Sequence, residues 1–218
     1  MIPADKKNWA KALFKPYLHW ILRSDFHEFY FQNFPPEIPA TTNLILAPSH
    51  ASWWDGFFAF QLNEWFFQRD FYLLMLESSL KQFPFFQKLG ACSIVQESPK
   101  EIIRTFQYLS ELLNQKEKIL LTVYPQGILL PDVQEIEAKQ GLTRLKLNRP
   151  VMILPLYTKT EPLGNRKPSV FFRFGSPIAF ETYLSDPQCL EQSLNQIRME
   201  TGNALLSQTY GTAFLRKS

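Results

Sequence analysis

Short apolar runs separated by helical segments are the feature that most constrains how this chain can fold. The runs are NLILAPS, FYLLML, CSIVQE, KILLTVYP, VMILPLYT and SVFFRFGSP. Continuous apolar runs of this length are typical of β-strands that are covered on both faces. The helical segments lie at about 54–67, 78–89, 100–115, 132–147 and 187–207. This alternation predicts an α/β fold with a mostly parallel central sheet flanked by helices.

Residues 1–34 predict an N-terminal amphipathic helical region. Its apolar residues recur at helical spacing, and they are Trp9, Leu13, Tyr17, Trp20 and Ile21. Pro16 is expected to break or kink this region, which predicts one or two short helices. The composition suits a helix at a membrane interface and equally a helix packed on a domain. A proline-rich stretch, PPEIPATT, is predicted to lead from it into a domain that covers residues 35–218.

The composition favours an apolar partner over a nucleic acid. Aromatic residues make up 15% of the chain, with 20 Phe and 5 Trp. The net charge is only +3 and the basic residues are scattered, which does not favour nucleic-acid binding and suits anionic lipid headgroups better. Cys92 and Cys189 form no C-x-x-C pair, so no zinc site is expected. Without a secretion signal or a spanning apolar run, a cytoplasmic, peripheral membrane location is predicted.

The stretch LILAPSHASWWDGFFAF carries the first candidate for chemistry. His50 follows a predicted strand, and Asp55 lies near the first turn of the next helix, where α/β proteins collect functional groups. A neutral imidazole can take a proton from a hydroxyl while a carboxylate orients it. Neither Ser49 nor Ser52 lies in a G-x-S-x-G elbow, so the substrate's own hydroxyl is the expected nucleophile. The alternative is structural, with His50 bonding a loop carbonyl and Asp55 capping the helix.

Four ordered blocks resemble the motifs of the glycerolipid acyltransferases, whose type member is 1-acylglycerol-3-phosphate acyltransferase. The blocks are H-x-x-x-x-D at 50–55, GACSIVQ at 90–96, YPQG at 124–127 and VMILPLY at 151–157. The segments SLKQFPFFQKLGA and AKQGLTRL resemble those that precede the second block and follow the third. The resemblance covers about residues 40–180, and four blocks in order are far more specific than one.

The resemblance implies transfer of a fatty acyl group from an acyl-CoA or acyl carrier protein thioester to a lipid hydroxyl. His50 would be the general base and Asp55 would orient it, with no acyl-enzyme, metal or other cofactor. Backbone N–H groups at the start of the helix after His50 are expected to stabilise the thioester oxygen. The expected acceptor-binding residues are Gln96, Tyr124, Pro125, Gln126 and Gly127. Expected acyl or anion contacts are Trp53, Trp54, Lys81 and Lys139.

The sequence departs from the family pattern in its second and third blocks. Gln96 stands where the family has Arg, and Gln126 stands where it has Glu. Ile128 and Leu129 stand where the family usually has Thr and Arg. An amide cannot form the bidentate, charge-assisted hydrogen bonds that Arg forms with a phosphate, although it can hydrogen-bond a hydroxyl. The predicted acceptor is therefore a glycolipid, polyol or hydroxylated lipid, not a phosphate monoester.

Three alternatives stay open at this point. Lys81, Lys139 or Arg144 could supply the missing cation, which would give a lysophosphatidic acid acyltransferase with a divergent acceptor site. Water could attack the thioester, which would make the protein a hydrolase. The chain could also be a non-catalytic lipid-binding protein, although the presence of both His50 and Asp55 favours catalysis. The leading prediction has three partners: an acyl thioester donor, a lipid acceptor and a membrane surface.

Overall fold

The computed structural model describes residues 1–131 and 134–214, and within them nine strands form one mixed sheet. The strands are β1 Phe29–Phe31, β2 Asn43–Pro48, β3 Asp70–Leu76, β4 Ala91–Ile94, β5 Ile119–Thr122, β6 Val151–Glu161, β7 Ser169–Phe174, β8 Ile178–Ala179 and β9 Thr212–Ala213. The α-helices are α1 Asn8–Asp25, α2 Asp55–Leu62, α3 Glu77–Gln82, α4 Phe85–Leu89, α5 Pro99–Gln115, α6 Phe180–Ser185 and α7 Gln188–Leu206. A π-helical turn, Asn63–Phe67, extends α2, and a 3-10 helix covers Gln140–Arg144.

The sheet has the order β4-β3-β5-β2-β6-β7-β1-β9, with β8 pairing with β6. Neighbouring strands from β4 to β6 are all parallel, and β1 is parallel to β7. Only the pairings of β6 with β7 and β8, and of β1 with β9, are antiparallel among the described strands. The predicted α/β fold with a mostly parallel sheet is therefore confirmed, and each of the six apolar runs contains a strand.

The sheet separates two hydrophobic cores. One core packs α1 and α2 on one face, and the other packs α5 and α7 on the opposite face. Strand β3 serves both cores by alternation, with Phe71 and Leu73 facing the first and Tyr72 and Leu74 facing the second. Because both faces are covered, polar groups of the strand loops can reach a common site only at the edges of the sheet.

Of the one or two helices predicted here, the structure has one, and α1 runs through Pro16 without a break. Pro16 has no N–H to donate to the carbonyl of Ala12, but its neighbours Phe14 and Leu18 are buried in the core and hold the helix together. The predicted helical region at 1–34 is helical only to Asp25, because residues 29–31 instead pair in register with β7.

The predicted helix at 132–147 is wrong in its described part, and its first two residues lie outside that part. The segment has no α-helix and contains only the 3-10 helix. Its backbone N–H groups donate to other elements at 2.8–2.9 Å: Ile136 to Asn195, Ala138 to Glu191 and Lys139 to the Pro125 carbonyl. In an α-helix, these backbone N–H groups would instead donate to carbonyls within the same segment.

Replacing Pro16 with Ala should raise the free energy of unfolding by about 2 kcal/mol, because it restores a backbone donor within an exposed helix surface. Urea unfolding followed by circular dichroism would measure the change. Ala12→Gly, on the preceding turn of the same exposed surface, is the matched control and should lower stability by about 1 kcal/mol. A loss of stability on Pro16→Ala would contradict a continuous helix.

Candidate active site

The loops that follow β2, β4 and β5 meet at the carboxyl edge of the sheet. His50 follows β2, Gln96 follows β4, and residues 124–127 follow β5. The strand order places β3 between β4 and β5, and β5 beside β2, so these three loops are close neighbours. The structure therefore brings together most of the residues that the motifs single out.

Asp55 holds His50 through a hydrogen bond of 2.9 Å between Asp55 Oδ2 and His50 Nδ1. The same carboxylate oxygen accepts the backbone N–H groups of Ala51 and Ser52, each at 2.9 Å. Asp55 begins α2 and is only 5% exposed. Because the carboxylate accepts at Nδ1, that nitrogen carries the proton and Nε2 keeps a free lone pair. The imidazole is therefore paired with Asp55 through Nδ1, and it does not use this nitrogen to bond a loop carbonyl.

The neighbouring polar groups are already engaged. The N–H groups of Ala51 and Ser52 donate to Asp55, so the expectation that backbone donors at this turn stabilise a thioester oxygen is wrong for these two. Ser49 is buried and its Oγ accepts the N–H of Thr158 at 3.1 Å. Ser52 Oγ accepts the N–H of Trp54 at 3.1 Å. Among the described residues, neither hydroxyl is hydrogen-bonded to the imidazole, which agrees with the absence of a serine nucleophile from the sequence motifs.

Two residues of the YPQG block support His50 in different ways. The ring of Tyr124 stacks on the imidazole, with 4.2 Å between ring centroids. Its hydroxyl is buried without a hydrogen-bond partner among the described residues, and this burial raises the pKa of Tyr124. Gln126 is buried, and its Oε1 accepts the backbone N–H of His50 at 2.7 Å. Gln126 does not line the cavity described below, so the structure places it behind His50 and not in the expected acceptor site.

Gln96, Gly127 and Lys139 form a second polar group at the same edge. Gln96 Nε2 donates to the Gly127 carbonyl at 2.7 Å, and Lys139 Nζ lies 3.5 Å from Gln96 Oε1. Gly127 has a φ of +71°, and a Cβ at this position would lie 3.0 Å from both Gln96 Nε2 and Lys139 Nζ. A side chain at residue 127 would therefore strain the backbone and displace both polar groups.

A cavity of about 700 Å³ opens beside His50. Most of the side chains that line it are apolar or aromatic, and the polar ones include His50, Gln96 and Lys139. The charged side chains of the lining are Lys139 and Arg144, and no carboxylate from the described ranges is part of it. A mostly apolar cavity with a few converging polar groups is suited to an amphiphilic ligand.

Some of the other predicted residues line the cavity, and others lie outside its lining. Trp53, Tyr124, Pro125 and Gly127 line the cavity. Trp54 lies outside the lining and packs against Phe26 and Phe58. Lys81 is exposed outside the lining and pairs with Glu77 at 2.8 Å.

Sequence reasoning missed the aromatic walls of the cavity, among them Phe57, Phe60 and Phe106. Helical spacing cannot single them out, because burial against a core and burial against a ligand give the same pattern. It also missed the role of Gln126, which depends on the packing of one loop on another.

Comparison with known proteins identifies the family. The sequence profile of the acyltransferase family matches residues 32–159, more than half of the 218 residues. The chain belongs to the acyltransferase family. The fold of this acyltransferase is similar to the crystal structure of PlsC, the 1-acyl-sn-glycerophosphate (LPA) acyltransferase from Thermotoga maritima. The TM-score is 0.55 and the identity 15%, over 96% of this chain and 80% of that chain. No significant match was found among curated proteins.

Replacing Gln126 with Leu should lower the free energy of unfolding by about 1–3 kcal/mol, because it leaves the His50 N–H buried without an acceptor. Chemical denaturation would measure the loss. Gln126→Glu is the matched variant, since it keeps an acceptor oxygen at the same reach and should be clearly more stable than Gln126→Leu. Equal stability of the two variants would mean that the hydrogen bond to His50 contributes nothing.

Proposed function

We propose that this acyltransferase moves a fatty acyl group from an acyl-CoA or acyl carrier protein thioester to a lipid hydroxyl, with His50 as general base. The observation that carries the proposal is the position of His50, whose Nδ1 bonds Asp55 and whose ring lines a mostly apolar cavity. A base at the head of an apolar cavity is what transfer between two amphiphiles requires.

The proposed reaction balances without a covalent enzyme intermediate. The acceptor oxygen attacks the thioester carbonyl as its proton passes to His50 Nε2. The tetrahedral intermediate then collapses, the C–S bond breaks, and the imidazolium returns the proton to the leaving thiolate. Asp55 remains ionised and stabilises the imidazolium while it exists.

The acceptor proposal rests on Gln96, because Gln126 is engaged with the backbone of His50. Gln96 lies at the cavity and keeps capacity to bond a hydroxyl, which favours a glycolipid, polyol or hydroxylated lipid. A phosphate monoester is the second candidate, because Lys139 and Arg144 line the same cavity without a carboxylate partner in the described part of the chain. Both candidates are lipids with a polar head beside His50.

We further propose that the protein works at a membrane surface on the cytoplasmic side. The stripe of α1, defined as Trp9, Leu13, Tyr17 and Trp20, is 49–64% exposed. The adjacent face of α1 is buried in the core, so the stripe is an apolar surface that faces solvent. In the described ranges, no helix has the length and apolarity needed to cross a bilayer. These features suit a helix that lies in the interface.

His50→Ala should abolish acyl transfer, and Asp55→Asn should lower kcat by about 10³–10⁴-fold because the imidazole loses its required tautomer. The assay would follow a radiolabelled acyl group from acyl-CoA, and separately from acyl carrier protein, into glycolipid and lysophosphatidic acid acceptors. Thermal unfolding would show that both variants remain folded.

The distribution of label in this assay decides between the candidates. Label in a glycolipid or polyol acceptor supports the neutral-acceptor proposal, and label in lysophosphatidic acid supports the phosphate candidate. Free fatty acid that forms without any acceptor would instead indicate a hydrolase. Transfer that persists in His50→Ala would contradict the general-base mechanism.

The double variant Trp9→Gln, Trp20→Gln should bind anionic liposomes at least about tenfold more weakly, because it removes half-exposed apolar surface from the stripe. Cosedimentation would measure binding. The matched control is Met199→Gln, Leu206→Gln, which removes exposed apolar side chains from α7 on the opposite face of the sheet. Equal losses in both double variants would contradict a role for the stripe.

A further inference from the structure

The cavity draws its lining from both faces of the sheet. Some of its residues belong to the core under α1 and α2, and others belong to the core under α5. We propose that it has two branches that hold two hydrocarbon chains at once, the acyl chain of the donor and the chain of the lipid acceptor. This assignment of chains rests on the proposed acyl transfer.

The long branch lies on the face of α1 and α2. Its walls are apolar side chains from three helices and β3: Phe14, Phe57, Phe60, Phe71, Leu73 and Leu89. From Met75, near the carboxyl end of β3, to Phe71 the strand advances by about 13 Å. No charged side chain of the described residues joins these walls. The long branch is therefore a deep apolar space suited to an extended acyl chain.

The short branch lies on the opposite face, between α5 and the 3-10 helix. Its apolar walls are Leu74, Ile102, Phe106 and Leu142. It reaches only as far as Leu74, about 7 Å from Leu76 at the end of β3. Gln96, Lys139 and Arg144 also line the cavity, and the last two belong to the 3-10 helix or its N-cap beside this branch. The short branch thus combines a shallow apolar space with polar and cationic groups.

The two branches are separated by the sheet itself. Side chains of successive residues in β3 point to opposite faces, so Leu73 faces the long branch while Leu74 faces the short branch. The branches can communicate only beyond the strand ends, where His50 and Tyr124 lie. A reactive group held in each branch would therefore meet its partner beside the imidazole.

The lining determines which chain occupies which branch. The donor's acyl chain has no polar group beyond its thioester, which matches the uncharged walls of the long branch. The acceptor carries a polar head next to its chain, which matches the short branch and the neighbouring Gln96, Lys139 and Arg144. The acceptor hydroxyl then approaches the thioester from the opposite face of the sheet.

Two substitutions fill one branch each. Gly56 lines the long branch, and a Cβ there would lie 3.6 Å from Leu73 Cδ2, an ordinary contact, so Gly56→Leu places bulk in the long branch without a backbone clash. Ile102 is partly buried on α5, so Ile102→Phe adds bulk to the short branch. Gly56→Ala and Ile102→Leu are milder versions for use if either variant fails to fold.

Transfer would be measured with donors of increasing acyl length and with acceptors of one head group and increasing chain length. Gly56→Leu should shorten the longest donor chain that the protein accepts. For donors beyond that length, kcat/KM should fall by about fifteenfold for every two methylenes, and the acceptor profile should not change. Ile102→Phe should produce the same pattern for acceptors only. A shift of the donor profile by both variants would overturn the proposal, since one chain would then fill the whole cavity.

Binding of decanol by isothermal titration calorimetry tests the branches without catalysis. The unmodified protein should bind two molecules, and each variant should bind one. One site in all three proteins would overturn the proposal. If no acyl transfer occurs with any substrate pair but two sites are found and each variant loses one, the proposed function fails while the two branches stand.

Discussion

The carboxylate of Asp55 is the contact on which the site depends. One oxygen accepts the imidazole N–H of His50 and the backbone N–H groups of Ala51 and Ser52, in a position almost closed to water. A buried carboxylate is costly unless it is fully hydrogen-bonded, and these three donors supply that compensation. The same contacts fix the turn between β2 and α2, so the geometry of the base and the local fold have one cause.

The loop after β5 holds His50 from the other side. Gln126 accepts the N–H of His50, and the N–H of Leu130 donates to the His50 carbonyl at 3.0 Å. Tyr124 adds a stacked ring. The imidazole is thus fixed by two neighbouring parallel strands whose loops are far apart in sequence. Gln126 therefore supports the backbone of His50 from outside the cavity lining, a role in which only its acceptor oxygen is used.

Sequence reasoning succeeded where the local pattern has one physical meaning. Continuous apolar runs identified the six main strands, and the position of His50 after a strand placed it at the carboxyl edge of the sheet. It failed where tertiary contacts override local preference. Pro16 did not end α1 because its neighbours are anchored in the core, and residues 134–139 gave their backbone donors to other elements instead of forming a helix. Lys81 and Trp54 matched the motif pattern but lie away from the cavity.

The sequence by itself determined the fold class, because strand periodicity is a local property, and it left the pairing of His50 with Asp55 as one of two interpretations. The tertiary structure decided which glutamine faces the cavity. Gln96 lines the cavity and bonds the Gly127 carbonyl, whereas Gln126 lies outside the lining and bonds the backbone of His50. It also decided the shape of the cavity. Adjacent residues such as Leu73 and Leu74 line it from different faces of the sheet, because their side chains alternate along β3.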